Sequence, residues 1–279
     1  MPIPIEAIAS HPHYLLLLSE YGKKLAALYD ENQRLGANLG FQRRWLMSQA
    51  ALALAWDGEN RLTVSNLVEA LVPFKVASPN TIRDFVDESV KYGFIEPDPA
   101  RASIRPRYWR PTGPVVETVA QWLYANLAML DALDGGDRRL RFAEDPGIVT
   151  RLQPRFAWNS LRDPRWREPP ARIGLLQRSI SGGLVMDTII IDVGDQPRGT
   201  ERFIIPAIDA REMAGRILIS RTHLQRVLRK VISAGGLGWT GRAFDSDMWV
   251  DSAFIDEYCG WQAVKSHYID EAFEWATRP

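Results

Sequence analysis

The chain has 279 residues with 34 basic and 34 acidic side chains, and its zero formal charge excludes a protein that coats nucleic acid by bulk electrostatics. Its 46% hydrophobic content is ordinary for a globular chain, no apolar run approaches the ~20 residues of a membrane span, and MPIPIEAIAS lacks a basic-then-apolar leader. The single cysteine, Cys259, cannot form an internal disulfide, which fits a reducing compartment, so a cytoplasmic location is expected.

In chain order, Leu15 to Leu18 fall inside a first helix, expected over 14–35, and LGFQRRWLMSQAALALAWDG (39–58) predicts a long apolar one. Thr63 stands where an N-cap belongs, and TVSNLVEAL predicts a helix that ends before Pro73. After the turn PFKVA, Ser78 caps a helix whose apolar face is Ile82, Phe85, Val86 and Val90, and Gly93 supplies the stop. A short strand, FIEP, leads to a hairpin tip at Asp98, Pro99 and Ala100. SIRPRYWRPT then predicts a returning strand bearing Arg105, Arg107 and Arg110, and Gly113-Pro114 starts a helix through VVETVAQWLYANLAML. From Arg138 to Arg178 there are ten arginines and four acids, interrupted by five prolines. This stretch reads as a broken connection, either a solvated linker or a strip lying along a phosphate backbone.

The pattern then returns. Leu224, Val227, Leu228 and Ile232 repeat the apolar face of the Ser78 helix 142 residues later, with Ser220 at the cap and Gly235 at the stop. Segment 11–44 lies over 145–179, and 108–133 over 248–273. The order of elements predicts two copies of one domain, 1–136 and 137–279. Helix, helix-turn-helix, two-stranded wing and helix together describe a winged helix. The fold class expected is mainly α with small β wings, as two tandem winged helix-turn-helix domains.

Thr63-Val64-Ser65, the helix from Ser78 to Gly93, and the hairpin DPARASIRPRYWRPTG closing on Trp109-Arg110-Pro111-Thr112-Gly113 resemble the MarR family of bacterial transcriptional regulators. The second copy matches through Asp209 to Ala214, Ile217 to Ser220 and the helix that follows, while its wing, WTGRAFDSDMWV, is acidic and departs from the family pattern. The resemblance implies recognition helices entering successive major grooves of duplex DNA from a two-fold bundle of terminal helices. A chain holding the domain twice would build that arrangement internally, as a pseudo-dimer, and is expected to be a monomer. Trp122, Tyr124, Trp261, Phe273 and Trp275 would form the interface core. The resemblance also leaves a place for a small-molecule effector between the bundle and the DNA-binding lobes.

The copies differ in charge. The first recognition helix carries Arg83 and Lys91 against Asp84, Asp87 and Glu88, whereas the second carries Arg221, Arg226, Arg229 and Lys230 and no acid. The wings reverse this, with Arg101, Arg105, Arg107 and Arg110 in the first, and Asp245, Asp247 and Asp251 in the second. Arginine pairs with phosphates and, bidentately, with guanine edges. The DNA-binding candidates are therefore Arg221, Thr222, Gln225, Arg226 and Arg229 in the second helix, their equivalents Asn80, Thr81 and Arg83 in the first, and Arg101, Arg105 and Arg107 in the first wing. The alternative is a protein-interaction scaffold that has kept the winged helices and lost DNA affinity.

Other motifs carry less. Gly236-Leu237-Gly238-Trp239-Thr240-Gly241 satisfies GxGxxG but lies between a helix and a wing, not between a strand and a helix as a dinucleotide site requires. His11 and His13 have no acidic or cysteine partner nearby in sequence, and Cys259 sits in an amphipathic helix as a core residue. No catalytic, cofactor or metal site is expected.

Overall fold

The computed structural model describes residues 1–31, 36, 40–58, 60–194 and 196–278. The parts of the expected helices that fall on 32–35 and 39 lie outside the described residues.

The protein is mainly helical, with two small antiparallel sheets. Its first half runs α1 (Ile5–Ser10), α2 (Tyr14–Glu31), α3 (Gln42–Trp56), α4 (Val64–Leu71), α5 (Pro79–Lys91), β1 (Ile95–Pro97), β2 (Trp109–Pro111) and α6 (Gly113–Asp134). The second runs α7 (Arg138–Glu144), α8 (Ile148–Arg162), α9 (Pro164–Arg167), α10 (Ala171–Gln177), α11 (Gly182–Val193), β3 (Arg202–Ile205), α12 (Ala210–Arg216), α13 (Arg221–Ser233), β4 (Leu237–Trp239), β5 (Met248–Asp251) and α14 (Ser252–Ala276).

Helices α5 and α13 are built alike down to single hydrogen bonds. Ser78 Oγ accepts from the Thr81 amide and Ser220 Oγ from the His223 amide, each meeting an amide that the helix cannot satisfy itself. At the other end Gly93 (φ +70°) and Gly235 (φ +74°) turn left-handed. The amides of Gly93 and Phe94 bond to Val90 and Ser89 carbonyls, and those of Gly235 and Gly236 to Ile232 and Val231, one Schellman motif in each place. Thr63 caps α4 and Asp209 caps α12, as their positions before the two helices require.

The sheets are less alike. In the first half β1 and β2 pair over three residues only, with Glu96 opposite Arg110, and the Trp109 amide adds a single bond to the Leu62 carbonyl. In the second, a full strand β3 pairs with β5, which also pairs with β4. Phe203, Ile205, Leu237, Met248 and Val250 cover its buried face. The outer edge of β3 is closed by Gln196, whose amide group both donates to the Ile204 carbonyl and accepts from its N–H.

The halves are joined by reciprocal packing. Helix α2 lies on α11 and α8 lies on α3; α1 lies on α14 and α7 on α6. Each half thus seats its leading helices on the other half. Polar contacts line this seam: Tyr14 Oη with Ser266 Oγ at 3.0 Å, and Gln153 donating to Gln49. The Gly183 amide donates to the Gly40 carbonyl across this seam at 2.8 Å, and a side chain on Gly183 would meet that oxygen at 2.9 Å.

Segment 138–178 is not a solvated linker. It forms α7 to α10, and Ile148, Leu152, Phe156, Trp166, Ile173 and Leu176 are buried. Pro154 lies inside the fifteen-residue α8, whereas Pro164 opens α9 at a position where no amide is needed and Pro170 precedes α10. The aromatic bundle also differs from expectation in part. Trp261 and Phe273 are buried and Trp166 stacks on Trp261 at 4.3 Å, but Tyr124 and Trp275 are each 41% exposed and are not interface core.

Candidate nucleic-acid interface

Helix α13 buries Leu224, Val227, Leu228 and Val231. The opposite side then faces solvent by helical periodicity, and Arg221, Thr222, Arg226, Arg229 and Lys230 are exposed there, with Gln225 half-buried. Arg226 Nη2 lies 3.0 Å from His223 Nδ1, which steadies the guanidinium without neutralising it. Among the described residues no ion pair engages Arg221, Arg226, Arg229 or Lys230. Four of the expected contact residues, Arg221, Thr222, Arg226 and Arg229, therefore share one exposed helix surface.

The equivalent surface of α5 carries the opposite sign, position by position. Asp84, Asp87 and Glu88 stand where α13 has Arg226, Arg229 and Lys230, 142 residues on. Asp84 and Asp87 are exposed, and Glu88 is paired with Arg44 of α3. The candidates on this helix hold one another: Arg83 Nη1 donates to Asn80 Oδ1 at 2.9 Å, and the Thr81 hydroxyl lies 2.9 Å from the Ser78 cap oxygen. The 142-residue offset between the two helices carries this opposition in the sequence itself.

The first wing departs from a hairpin. Instead of a returning strand over 103–112, strand β2 spans only Trp109–Pro111, and Arg101, Arg105 and Arg107 sit on the connection before it. Arg105 and Arg107 are exposed, and the Arg107 guanidinium lies over the Trp109 ring at 5.6 Å. Arg101 is half-buried, stacked over Tyr108 at 4.7 Å. The acid of this loop is turned inward: Asp98 accepts from the Ala100 amide and from Asn60 Nδ2 at 2.8 Å. The outward charge of the loop is basic, whereas in the second wing Arg242 is paired with Asp245.

The arginines of 138–178 have a different role from the phosphate strip they suggested. Arg138, Arg155 and Arg172 bond to Asp270, Glu271 and Glu257 of α14, and Arg151 and Arg165 to Asp145 and Asp163. The hydrogen bonds that Arg172 donates to Glu257 hold its pKa above its ordinary value. These cations brace the second half, and Arg138 also reaches Asp131 and Asp134 of the first.

A cavity of about 80 Å³ lies in the first half between α3, α5 and α6, walled by Leu52, Leu62, Leu67, Phe85, Val86 and Val119. The remaining motifs are structural. A side chain on Gly236 would meet the Phe254 ring at 2.7 Å and one on Gly238 the Trp249 indole at 2.4 Å, so close packing explains these glycines. Cys259 is fully buried and its thiol pKa is pushed up to about 12 by burial. Among the described residues there is no cluster of side chains able to hold a metal ion, and no helix is long and apolar enough to cross a membrane.

No protein-family model matches the chain, and no curated protein or solved structure is similar to it.

Proposed function

We propose that the protein is a DNA-binding transcriptional regulator that grips duplex DNA through α13 and the loop of the first wing. The observation that carries this reading is the exposed row of Arg221, Arg226, Arg229 and Lys230, unopposed by any acid on its own helix. An exposed helix with such a face fits the major groove, where its N-terminal residues, Arg221, Thr222, Gln225 and Arg226, reach base edges and Arg229 reaches phosphate. Arg105 and Arg107 add phosphate contacts. Asn80, Thr81 and Arg83 contribute less, because Asp84 and Asp87 beside them repel the backbone.

In this reading the two halves, 1–136 and 137–279, are tandem winged helix-turn-helix units, similar to MarR-family domains, that form a pseudo-dimer within one chain. The matched caps and Schellman motifs of α5 and α13 support it, as does the reciprocal packing across the seam. The bundle is complete without a second chain, so the fold itself is monomeric. The protein acts by binding, not by catalysis, in the cytoplasm where its DNA lies. The cavity beneath α5 is the place for a small apolar effector, since a ligand there would press on Phe85 and Val86.

The other reading, a protein-interaction scaffold, is favoured by the acidic face of α5 and by the zero net charge. Selection of duplexes from a random-sequence pool by the full chain separates the two. Enrichment of one asymmetric site supports the regulator, and recovery of unenriched sequence favours the scaffold.

A further inference from the structure

Helix α5 and the turn that leads into α13 border a common groove. An open groove of about 560 Å³ runs beside α5, lined by Thr81, Asp84, Phe85 and Tyr92 on one side and by Ile180 and Leu218 on the other. Leu218 lies in the turn two residues before Ser220, the cap of α13, so the groove leads from the acidic helix to the start of the basic one. Ile180 is 60% and Leu218 52% exposed, and Leu218 is held at φ +56°, a strained conformation for a branched side chain. A second open groove, of about 510 Å³, flanks α13 and is lined by Arg226, Arg229, Lys230 and Leu175.

From this arrangement we propose that a second copy of the chain docks face to face, each copy seating its basic α13 on the acidic α5 of the other. The charges select this geometry. A two-fold axis between facing copies that sets α5 on α13 at one end necessarily sets α13 on α5 at the other, so both contacts form together and the dimer closes. The alternative two-fold sets α5 on α5 and α13 on α13, with like charges opposed at both ends. Arg226 and Arg229 stand at the same helical positions as Asp84 and Asp87, so the reach of the two pairs is matched along the helices. Glu88, held by Arg44, adds less. The exposed Ile180 and Leu218 supply the apolar part of the contact. Surface ion pairs dominate it, so the dimer is weak and dissolves with salt.

The regulatory consequence rests on the function proposed above. The dimer covers the α13 face that duplex DNA would occupy, so DNA and the second copy compete for it, and duplex stabilises the monomer by mass action.

Sedimentation velocity of the full chain tests the proposal. The parent protein should dimerise at about 50 mM salt and be monomeric at about 500 mM, where screening reaches within a few ångströms of each charge. Asp84→Arg with Asp87→Arg makes both helices basic, and Arg226→Asp with Arg229→Asp makes both acidic. Each variant alone should stay monomeric at low salt, while an equimolar mixture should form a heterodimer. Circular dichroism checks that both fold, and Asp87→Lys with Arg229→Glu replaces a pair that does not. A parent monomeric at every salt concentration, or a mixture that fails to associate, overturns the proposal. So does a parent dimer that the swaps leave intact, because it then uses another surface. Adding duplex separates this inference from the function it rests on. A dimer that passes the mixing test in a protein with no affinity for duplex leaves the docking standing and removes the DNA reading. A duplex-binding protein that fails the mixing test does the reverse.

Discussion

Arg138 Nε donates to Asp270 Oδ1 at 2.7 Å, joining residues 132 positions apart in a site where Asp270 is fully buried. The second oxygen of Asp270 accepts from the Ile3 amide at 2.7 Å. One carboxylate thereby ties the start of the chain and the first residue of α7 to the last helix. The guanidinium also bonds to Asp131 and Asp134. Burial alone would lower the Arg138 pKa, but the bonds to Asp134 and Asp270 outweigh it and hold it above its ordinary value.

Asp270→Ala leaves Arg138 without its buried partner and the Ile3 amide without an acceptor. Urea unfolding should show a loss of roughly 3–5 kcal/mol, the scale for breaking a buried pair. Asp134→Ala removes a partner at the exposed end of the same guanidinium and should cost about 1 kcal/mol or less.

The equivalence of α5 and α13 predicts equal responses to equivalent cap changes. Ser78→Ala and Ser220→Ala should each lower stability by about 1 kcal/mol in chemical denaturation. Gly93→Ala and Gly235→Ala force a side chain into the left-handed region and should each cost about 1–2 kcal/mol. A marked difference between the members of either pair would separate the two helices.

Lys265 is 4% exposed on α14, with its amine 4.6 Å from the centre of the Tyr21 ring. Burial lowers its pKa to about 8, against a smaller opposing pull from Asp187. Between that value and the ordinary lysine pKa of about 10.4, the unfolded chain binds a proton that the folded chain has released. Stability should therefore rise from pH 8 to pH 10 on account of this group. Lys265→Met should abolish that rise and stabilise the protein at pH 7, as compared by denaturant midpoints at the three pH values.

Cutting the chain at 136/137 should leave neither part folded alone, because α2 covers α11 and α8 covers α3 across the seam. Far-ultraviolet dichroism and proton NMR of each half, then of the mixture, measure this. A half that is cooperatively folded on its own would mean that the reciprocal packing is not needed to complete either core.

What could be read from the sequence was local. The serine caps, the apolar faces of α5 and α13 and their glycine stops all lie within sixteen residues of one another, and each has its own stereochemical cause. The role of 138–178 was hidden because its arginines find partners more than 80 positions away: Arg138 at Asp270, Arg155 at Glu271, Arg172 at Glu257. Strand β3 was missed because RFII is short and its pairing partner lies at 248–251. Alternating arginines suggest a strand in the first wing, yet Pro106 cannot donate to a ladder and only Trp109–Pro111 pairs with β1. Of the candidate contacts, Arg221, Thr222, Arg226 and Arg229 are exposed as the helical period requires, whereas Arg101 is drawn against Tyr108 and Thr81 into the Ser78 cap.

The most direct test of the DNA reading is duplex affinity across a salt series for the parent, Arg226→Glu, Arg83→Glu and Arg105→Glu, on a selected site and on unrelated sequence. Arg226→Glu should weaken specific binding by on the order of 1–3 kcal/mol, and Arg83→Glu distinctly less, because Asp84 and Asp87 already repel the backbone beside it. Arg105→Glu should weaken both duplexes alike and flatten the salt dependence, as loss of a phosphate contact does. Equal losses at Arg83 and Arg226 would contradict the asymmetry of the two helices, and a parent protein with no measurable affinity for duplex would contradict the account itself.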